Sequence, residues 1–231
     1  MDTVLLYAKG PEVRNTLAAL EDFNVLEVES PAELARRLVD ERDLLCLVLQ
    51  SGPELPEGFE ESLQACFPVL PAYLVAARPT AGELESLADR IASLRRLERR
   101  ERPRFDWPLR GTLSLPGSKA TSRDLRALSS GGAFLQCAGP CPPAGSRGRL
   151  RVLFGNFSLE TDCEVLDARQ ASSRLPDGFG VRFMNLGAEA RERLDRIVRD
   201  ALVRALLEPA GKAGPPALAE DELLPAGFRK L

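Results

Sequence analysis

Short apolar runs alternate with helix-spaced apolar stripes along the first part of the chain. Val4 to Ala8 reads as a strand, and Pro11, suited to a first helical turn, opens a helix with Val13, Leu17 and Leu20 on one face. Val25 to Val28 is the next strand. Ser30 at the N-cap, Pro31 at the first helical position and Glu33 at the third then announce a helix whose buried stripe is Leu34, Leu38 and Val39. Leu44 to Leu49 is apolar without interruption, the pattern of a strand covered on both faces in a parallel sheet. A short helix over Glu60 to Cys66 and a strand over Val69 to Ala77 follow. A long helix runs from Thr80 past Arg96, with Leu84, Leu87, Ile91, Leu94 and Leu97 in step. Repeated strand and helix imply right-handed crossovers, and residues 1–97 are expected to form a flavodoxin-like α/β domain.

From Phe105 the texture changes to short, turn-bounded segments with alternating apolar residues. They are Leu109 to Leu115, Arg123 to Leu128, Ala133 to Cys137, Leu150 to Phe154, Phe157 to Ala168 and Gly178 to Phe183, with Gly155-Asn156 as a hairpin turn. Six such segments suffice to close a small antiparallel barrel. A helix from Ala188 to Leu207 presents Leu194, Ile197, Val198, Ala201, Leu202 and Ala205 on one face. The second domain is therefore placed at residues 98–208. The remaining 209–231, rich in Pro, Gly and Ala, is expected to be largely disordered.

Composition narrows the chemistry. The 231 residues carry a net charge of -3 with 28% charged side chains, so no protein-wide field draws the chain to nucleic acid or an anionic membrane. Any anion site must be local. One Trp and two Tyr leave few platforms for stacking bases, which further disfavours an RNA- or DNA-binding barrel. The absence of histidine removes the commonest general base and the commonest zinc ligand, and neither a catalytic residue nor a metal site is expected. Cys46, Cys66, Cys137, Cys141 and Cys163 lack paired C-x-x-C spacing and read as reduced thiols, with Cys137 and Cys141 as loop residues of no joint role. The N-terminal apolar run is too short for a signal peptide, and no stretch approaches the roughly 20 residues of a membrane span. A soluble, cytoplasmic protein is the expectation.

The first domain is similar in order to the receiver domains of bacterial response regulators. That resemblance implies an acidic pair after the first strand, a phosphoacceptor aspartate after the third and a hydroxyl after the fourth. The chain has Ala8-Lys9-Gly10, Leu49-Gln50-Ser51 and Ala76-Ala77 at those places. Without the aspartate no acyl phosphate forms, and without hard oxygen ligands no magnesium is held. A pseudo-receiver that works by protein contact is the reading; an α/β domain of unrelated ancestry is the alternative.

Arginines crowd the stretch between the domains: Arg95, Arg96, Arg99, Arg100, Arg102 and Arg104, closed by Pro103 within the run. Arg100-x-x-x-Arg104 offers two guanidinium forks able to pair with phosphates or guanine edges. Paired with Glu98 and Glu101 at helical spacing, they also suit a solvated helix face. Downstream lie Ser129-Ser130-Gly131-Gly132-Ala133-Phe134-Leu135 and Phe179-Gly180-Val181-Arg182-Phe183. Together these resemble the PilZ domain, a β-barrel of bacterial signalling proteins whose RxxxR and [D/N]xSxxG motifs hold cyclic di-GMP. The resemblance covers roughly residues 99–205 and implies that Arg100 and Arg104 clamp the dinucleotide, Ser129 donates to it and Gly132 permits close approach. It further implies a non-enzymatic adaptor with a protein partner, acting on motility, pili or exopolysaccharide. Ala127 stands where the family carries Asp or Asn, and Asp124, three residues earlier, is a possible substitute acceptor. A barrel that has lost the ligand and serves as a protein-interaction module is the competing reading.

Overall fold

The computed structural model describes residues 2–20, 22–41, 43–51, 55–94, 109–137, 140–169, 177–208 and 224–231. The chain divides into two compact units, residues 1–101 with 202–213, and residues 102–201 with 214–231.

The first unit alternates β1 (Asp2–Tyr7), α1 (Pro11–Ala18), β2 (Phe23–Glu27), α2 (Pro31–Asp40), β3 (Leu44–Gln50), α3 (Phe59–Cys66), β4 (Ala72–Val75) and α4 (Ala81–Ala92). Its four strands are parallel in the order β2-β1-β3-β4. β3 is buried at all seven positions because helices cover both faces, as its unbroken apolar run requires. On one face Leu5, Tyr7, Leu47 and Leu49 pack with Leu34 and Leu38 of α2 and Phe59 and Leu63 of α3. On the other, Val4, Leu6, Cys46 and Val48 pack with Val13 and Leu17 of α1 and Leu87 and Ile91 of α4. Local signals fix the helix starts. The Ser30 hydroxyl accepts from the Glu33 amide at 3.2 Å, and Thr80 and Glu83 cap each other reciprocally.

Two elements are shorter than expected. Pro71 stops the fourth strand from reaching back to Val69, and the preceding residues turn instead, with the Leu70 amide on the Phe67 carbonyl. α4 ends at Ala92, where the Ser93 hydroxyl donates to the Arg90 carbonyl, and Leu94 still reaches the core. The expected continuation past Arg96 lies outside the described residues.

The second unit holds β5 (Leu109–Ser114), β6 (Thr121–Ser129), β7 (Gly132–Gln136), β8 (Arg147–Leu153), β9 (Phe157–Arg169), β10 (Gly178–Met184), α5 (Ala188–Leu207) up to Ala201, and β11 (Phe228–Lys230), the rest of α5 belonging to the first unit. The strands run β10-β7-β6-β5-β8-β9, and β10 also pairs with β9, which closes a six-stranded antiparallel barrel. Alternation puts Leu109 and Leu113, Leu150 and Val152, and Phe179, Val181 and Phe183 inside. Outside, Arg147, Arg149 and Arg182 pair across strands with Glu160, Asp162 and Glu164. Ala190, Leu194, Ile197, Val198 and Ala201 of α5 are buried. Leu206, assigned by its sequence position to the second domain, packs in the first unit's core with Leu34 and Leu38.

One expectation is overturned here, and the tail, expected to be largely disordered, carries one short strand at its end. That strand, β11, pairs with Phe157–Leu159 of β9, on the edge that β10 leaves uncovered, and Phe228 sits 6.0 Å from the Phe157 ring. The pairing satisfies edge amides and buries an aromatic ring, which composition alone does not register. Residues 209–223 of that tail lie outside the described residues. Cys137 and Cys141 do have a joint role: their Cα atoms lie 5.9 Å apart and the two form a disulfide.

The remaining cysteines differ in burial. Cys46 is pushed up to about 12 by burial, and Cys163 to about 11 by burial and then by the Asp162 charge. Cys66 is partly exposed. Without reductant, thiol labelling of the folded chain at neutral pH should therefore modify Cys66 alone, with Cys46 and Cys163 reacting on unfolding. Because their folded pKa values lie above the ordinary 9.0, the two buried thiols contribute stability that is whole below pH 9 and lost as pH rises toward 12. Denaturant midpoints across that window, with Cys46→Ala and Cys163→Ala as comparisons, check the slope.

Candidate functional site

The β6–β7 hairpin carries the serine and glycine of interest. Ser129 pairs with Gly132 across a two-residue turn, Ser130-Gly131. The Ser129 hydroxyl, 5% exposed, donates to the Gly132 carbonyl at 3.2 Å and accepts from the Gly131 amide at 3.3 Å. Its hydrogen bonds are thus spent inside the turn, which they stiffen. Ser130, also buried, donates to Asp195 of α5 at 3.1 Å, and Arg199 donates to the other oxygen of that carboxylate at 2.6 Å. The turn is thereby tied to the helix, and the Gly131 carbonyl accepts from the Phe183 amide of β10 at 2.9 Å.

Gly132 is required by the fold itself. A Cβ on it would lie 2.1 Å from the Val181 carbonyl oxygen of the neighbouring strand β10, and that atom belongs to the backbone. Gly178 is equally constrained, with the Leu135 carbonyl oxygen 2.4 Å from where its Cβ would sit. Gly180 is not, since only Leu166 side-chain atoms at 3.6 Å would meet the new methyl.

Between Leu125 and Ala127 the β6–β7 register shifts, a bulge at Arg126. The bulge resets the alternation, so Leu125 and Leu128 both point inward and Asp124 and Ala127 share the outer face. Asp124 is nonetheless a poor replacement for a carboxylate at 127: it lies three residues, roughly 10 Å, along the strand. Its charge also faces the Arg126 guanidinium at 4.0 Å, while Arg126 donates to Gln136 at 3.0 Å. Ala127 is 7% exposed and opposite Phe134. Arg100 and Arg104 lie outside the described residues, so the site as seen comprises the hairpin, its bulge and the outer face of β6.

Arg123, which no motif singles out, stands on this strand with its guanidinium 5.5 Å from the Phe179 ring and a buried Nε without a hydrogen-bond partner. An arginine at an alternating strand position gives no sequence signal for that placement.

In the first unit, the carboxyl ends of the parallel strands converge on one side chain. Gln50 Oε1 accepts from the amides of Lys9 and Gly10 at 2.8 and 3.0 Å, and its Nε2 donates to the Ala77 carbonyl at 3.0 Å. This neutral amide, 8% exposed, bonds the β1–α1, β3 and β4–α4 junctions together at the edge where open α/β sheets form their crevices. Among the described residues no cluster of three or more cysteine or acidic side chains could hold a metal, and no helix is long and apolar enough to cross a membrane.

Residues 98–200 match the family model of the PilZ domain, a span that nearly coincides with the barrel unit. The barrel matches the PilZ family. Among solved structures, the match to the Bacillus subtilis inhibitor of motility MotI/DgrA has 16% identity and a TM-score of 0.41, over 46% of this chain and 52% of that one. The Escherichia coli YcgR PilZ domain with c-di-GMP has 21% identity and a TM-score of 0.38, over 45% and 91%. The K. pneumonia MrkH–c-di-GMP complex has 15% identity and a TM-score of 0.41, over 47% and 55%. The chain thus spans about half the length of MotI/DgrA and of MrkH. No curated protein matches.

If Gly132 serves closure of the PilZ barrel, Gly132→Ala should cost about 3 kcal/mol or prevent folding, the severe end of overpacking against an unyielding backbone. Gly180→Ala should change stability by less than about 0.5 kcal/mol. Urea unfolding of both variants in the absence of nucleotide makes the comparison.

Proposed function

We propose that the chain is a non-enzymatic signalling adaptor whose PilZ domain binds cyclic di-GMP and passes that signal to a protein partner controlling motility, pili or exopolysaccharide. The match of residues 98–200 to the PilZ family carries this reading. YcgR and MrkH, with which the barrel shares a partial likeness, are described as complexes with the same dinucleotide. In this reading Arg100 and Arg104 supply the guanidinium forks, and the hairpin supplies the floor beside which the ligand sits. Because the Ser129 hydroxyl is engaged by Gly131 and Gly132, its part is to present the turn's backbone in a fixed shape, and Gly132 keeps the surface flat.

The first unit is a flavodoxin-type, receiver-like domain that cannot be phosphorylated. The strand order β2-β1-β3-β4 supports this assignment, and so does the position of Gln50 at the end of β3. An amide that makes three hydrogen bonds there holds the junction loops in one arrangement and leaves no carboxylate to accept a phosphoryl group. Such a unit works by presenting a surface.

One observation favours a second reading, in which the barrel binds protein alone. Ala127 removes an acceptor from the motif, and the carboxylate that shares its outer face, Asp124, stands three residues, roughly 10 Å, along the strand. Losing one partner of a buried hydrogen bond costs about 1–3 kcal/mol, roughly ten- to hundredfold in affinity.

Calorimetric titration of the full chain with cyclic di-GMP separates the readings. Binding heat that disappears in Arg104→Ala supports the receptor, and Ala127→Asp should then tighten binding about tenfold. No heat at high micromolar ligand leaves the protein-interaction module.

A further inference from the structure

Among the described residues three strands have a free lateral edge: β2 and β4 at the two ends of the parallel sheet, and β11 beside β9. Unprotected edges recruit other strands, and proteins ordinarily blunt them with charge or proline. Two of the three are blunted in this way. β2 carries Asn24 and Glu27, the latter paired with Arg14, and β11 carries Arg229 and Lys230. β4 reads Ala72-Tyr73-Leu74-Val75 and bears no charge at all.

The hydrogen bonding of β4 shows what its edge offers. The Pro71 carbonyl accepts from Leu47 and the Val75 carbonyl from Ser51, so alternate residues of the strand face β3. By the alternation of a parallel ladder, Ala72 and Leu74 direct their amides and carbonyls outward. Their side chains lie on the sheet face of Leu47 and Leu49, whose cover stops short of β4: Leu74 is 60% exposed and Val69, just upstream, 57%. On the opposite face Tyr73 and Val75 are packed with α4.

We propose that β4 is a homodimerisation strand, which pairs antiparallel with β4 of a second copy to make one continuous eight-stranded sheet from two four-stranded ones. The outward donors and acceptors specify an extended strand as the occupant. The absence of charge specifies an apolar one, and among the free edges of the described residues only β4 answers that description. About a two-fold axis through Tyr73, Ala72 of each copy faces Leu74 of the other, and both residues exchange their backbone hydrogen bonds. Leu74 then lies across from a small residue and loses its exposure. The contact is short, so the dimer should be concentration-dependent rather than obligate.

Sedimentation equilibrium of the full chain tests this without nucleotide and does not depend on the PilZ reading. Wild type should pass from monomer to dimer with rising concentration. Leu74→Lys, which sets two like charges across the axis, should weaken association by at least about tenfold. Ala72→Glu should act likewise, and because both side chains are exposed the circular dichroism spectra should match wild type. A wild-type chain that stays monomeric at every concentration overturns the proposal, as does equal association of wild type and both folded variants.

Discussion

Closure of the barrel depends on β10 lying directly against the β6–β7 hairpin, and that approach is possible only because Gly132 has no side chain. The same strand completes the ring through β9, whose Asp162–Arg169 portion pairs with β10 and whose Phe157–Leu159 portion pairs with β11. Around the closure point the chain gathers its polar groups. Phe183 bonds the turn, Ser129 braces it from within, and Ser130 ties it through Asp195 to α5. Buried hydroxyls that are fully engaged stiffen a turn, whereas unengaged ones would weaken it. The hairpin's shape is thus held by the protein's own hydrogen bonds.

The same logic runs through the first unit with a different outcome. There the junctions at the carboxyl ends of the strands are held by Gln50, an uncharged group with three hydrogen bonds to the backbone. A carboxylate in its place would carry charge into a site that is 8% exposed, and would need a cation to remain there. The amide removes that need along with the chemistry. One unit therefore fixes its junction loops with a neutral latch, and the other fixes its hairpin with engaged hydroxyls.

Much of this was legible in the sequence, for reasons that differ by element. The uninterrupted run Leu44 to Leu49 and the alternation in Gly178 to Phe183 report burial directly, so strand positions followed from them. Ser30 and Thr80 marked helix starts because capping is local. What escaped notice depends on partners distant in the chain. Phe228-Arg229-Lys230 has no periodicity of its own and becomes a strand only beside β9. The disulfide of Cys137 and Cys141 joins residues only four apart, but a spacing of four does not by itself bring two Cα atoms to 5.9 Å. The motif glycine was noticed for ligand approach, yet the atom nearest its missing Cβ is the Val181 carbonyl oxygen, a neighbour that only the β7–β10 register supplies. Where Asp124 stands relative to Ala127 depends on the bulge at Arg126, which strand alternation does not announce.

If closure at Gly132 is what the barrel depends on, β10 cannot open without the rest. Native-state amide hydrogen exchange on the ligand-free chain tests this most directly. The Phe183 amide, bonded to the Gly131 carbonyl, and its β10 neighbours should exchange with the same free energy and denaturant dependence as the amides of β5 and β8. Exchange of β10 through a separate opening of lower free energy, with β5 and β8 still protected, would contradict the account.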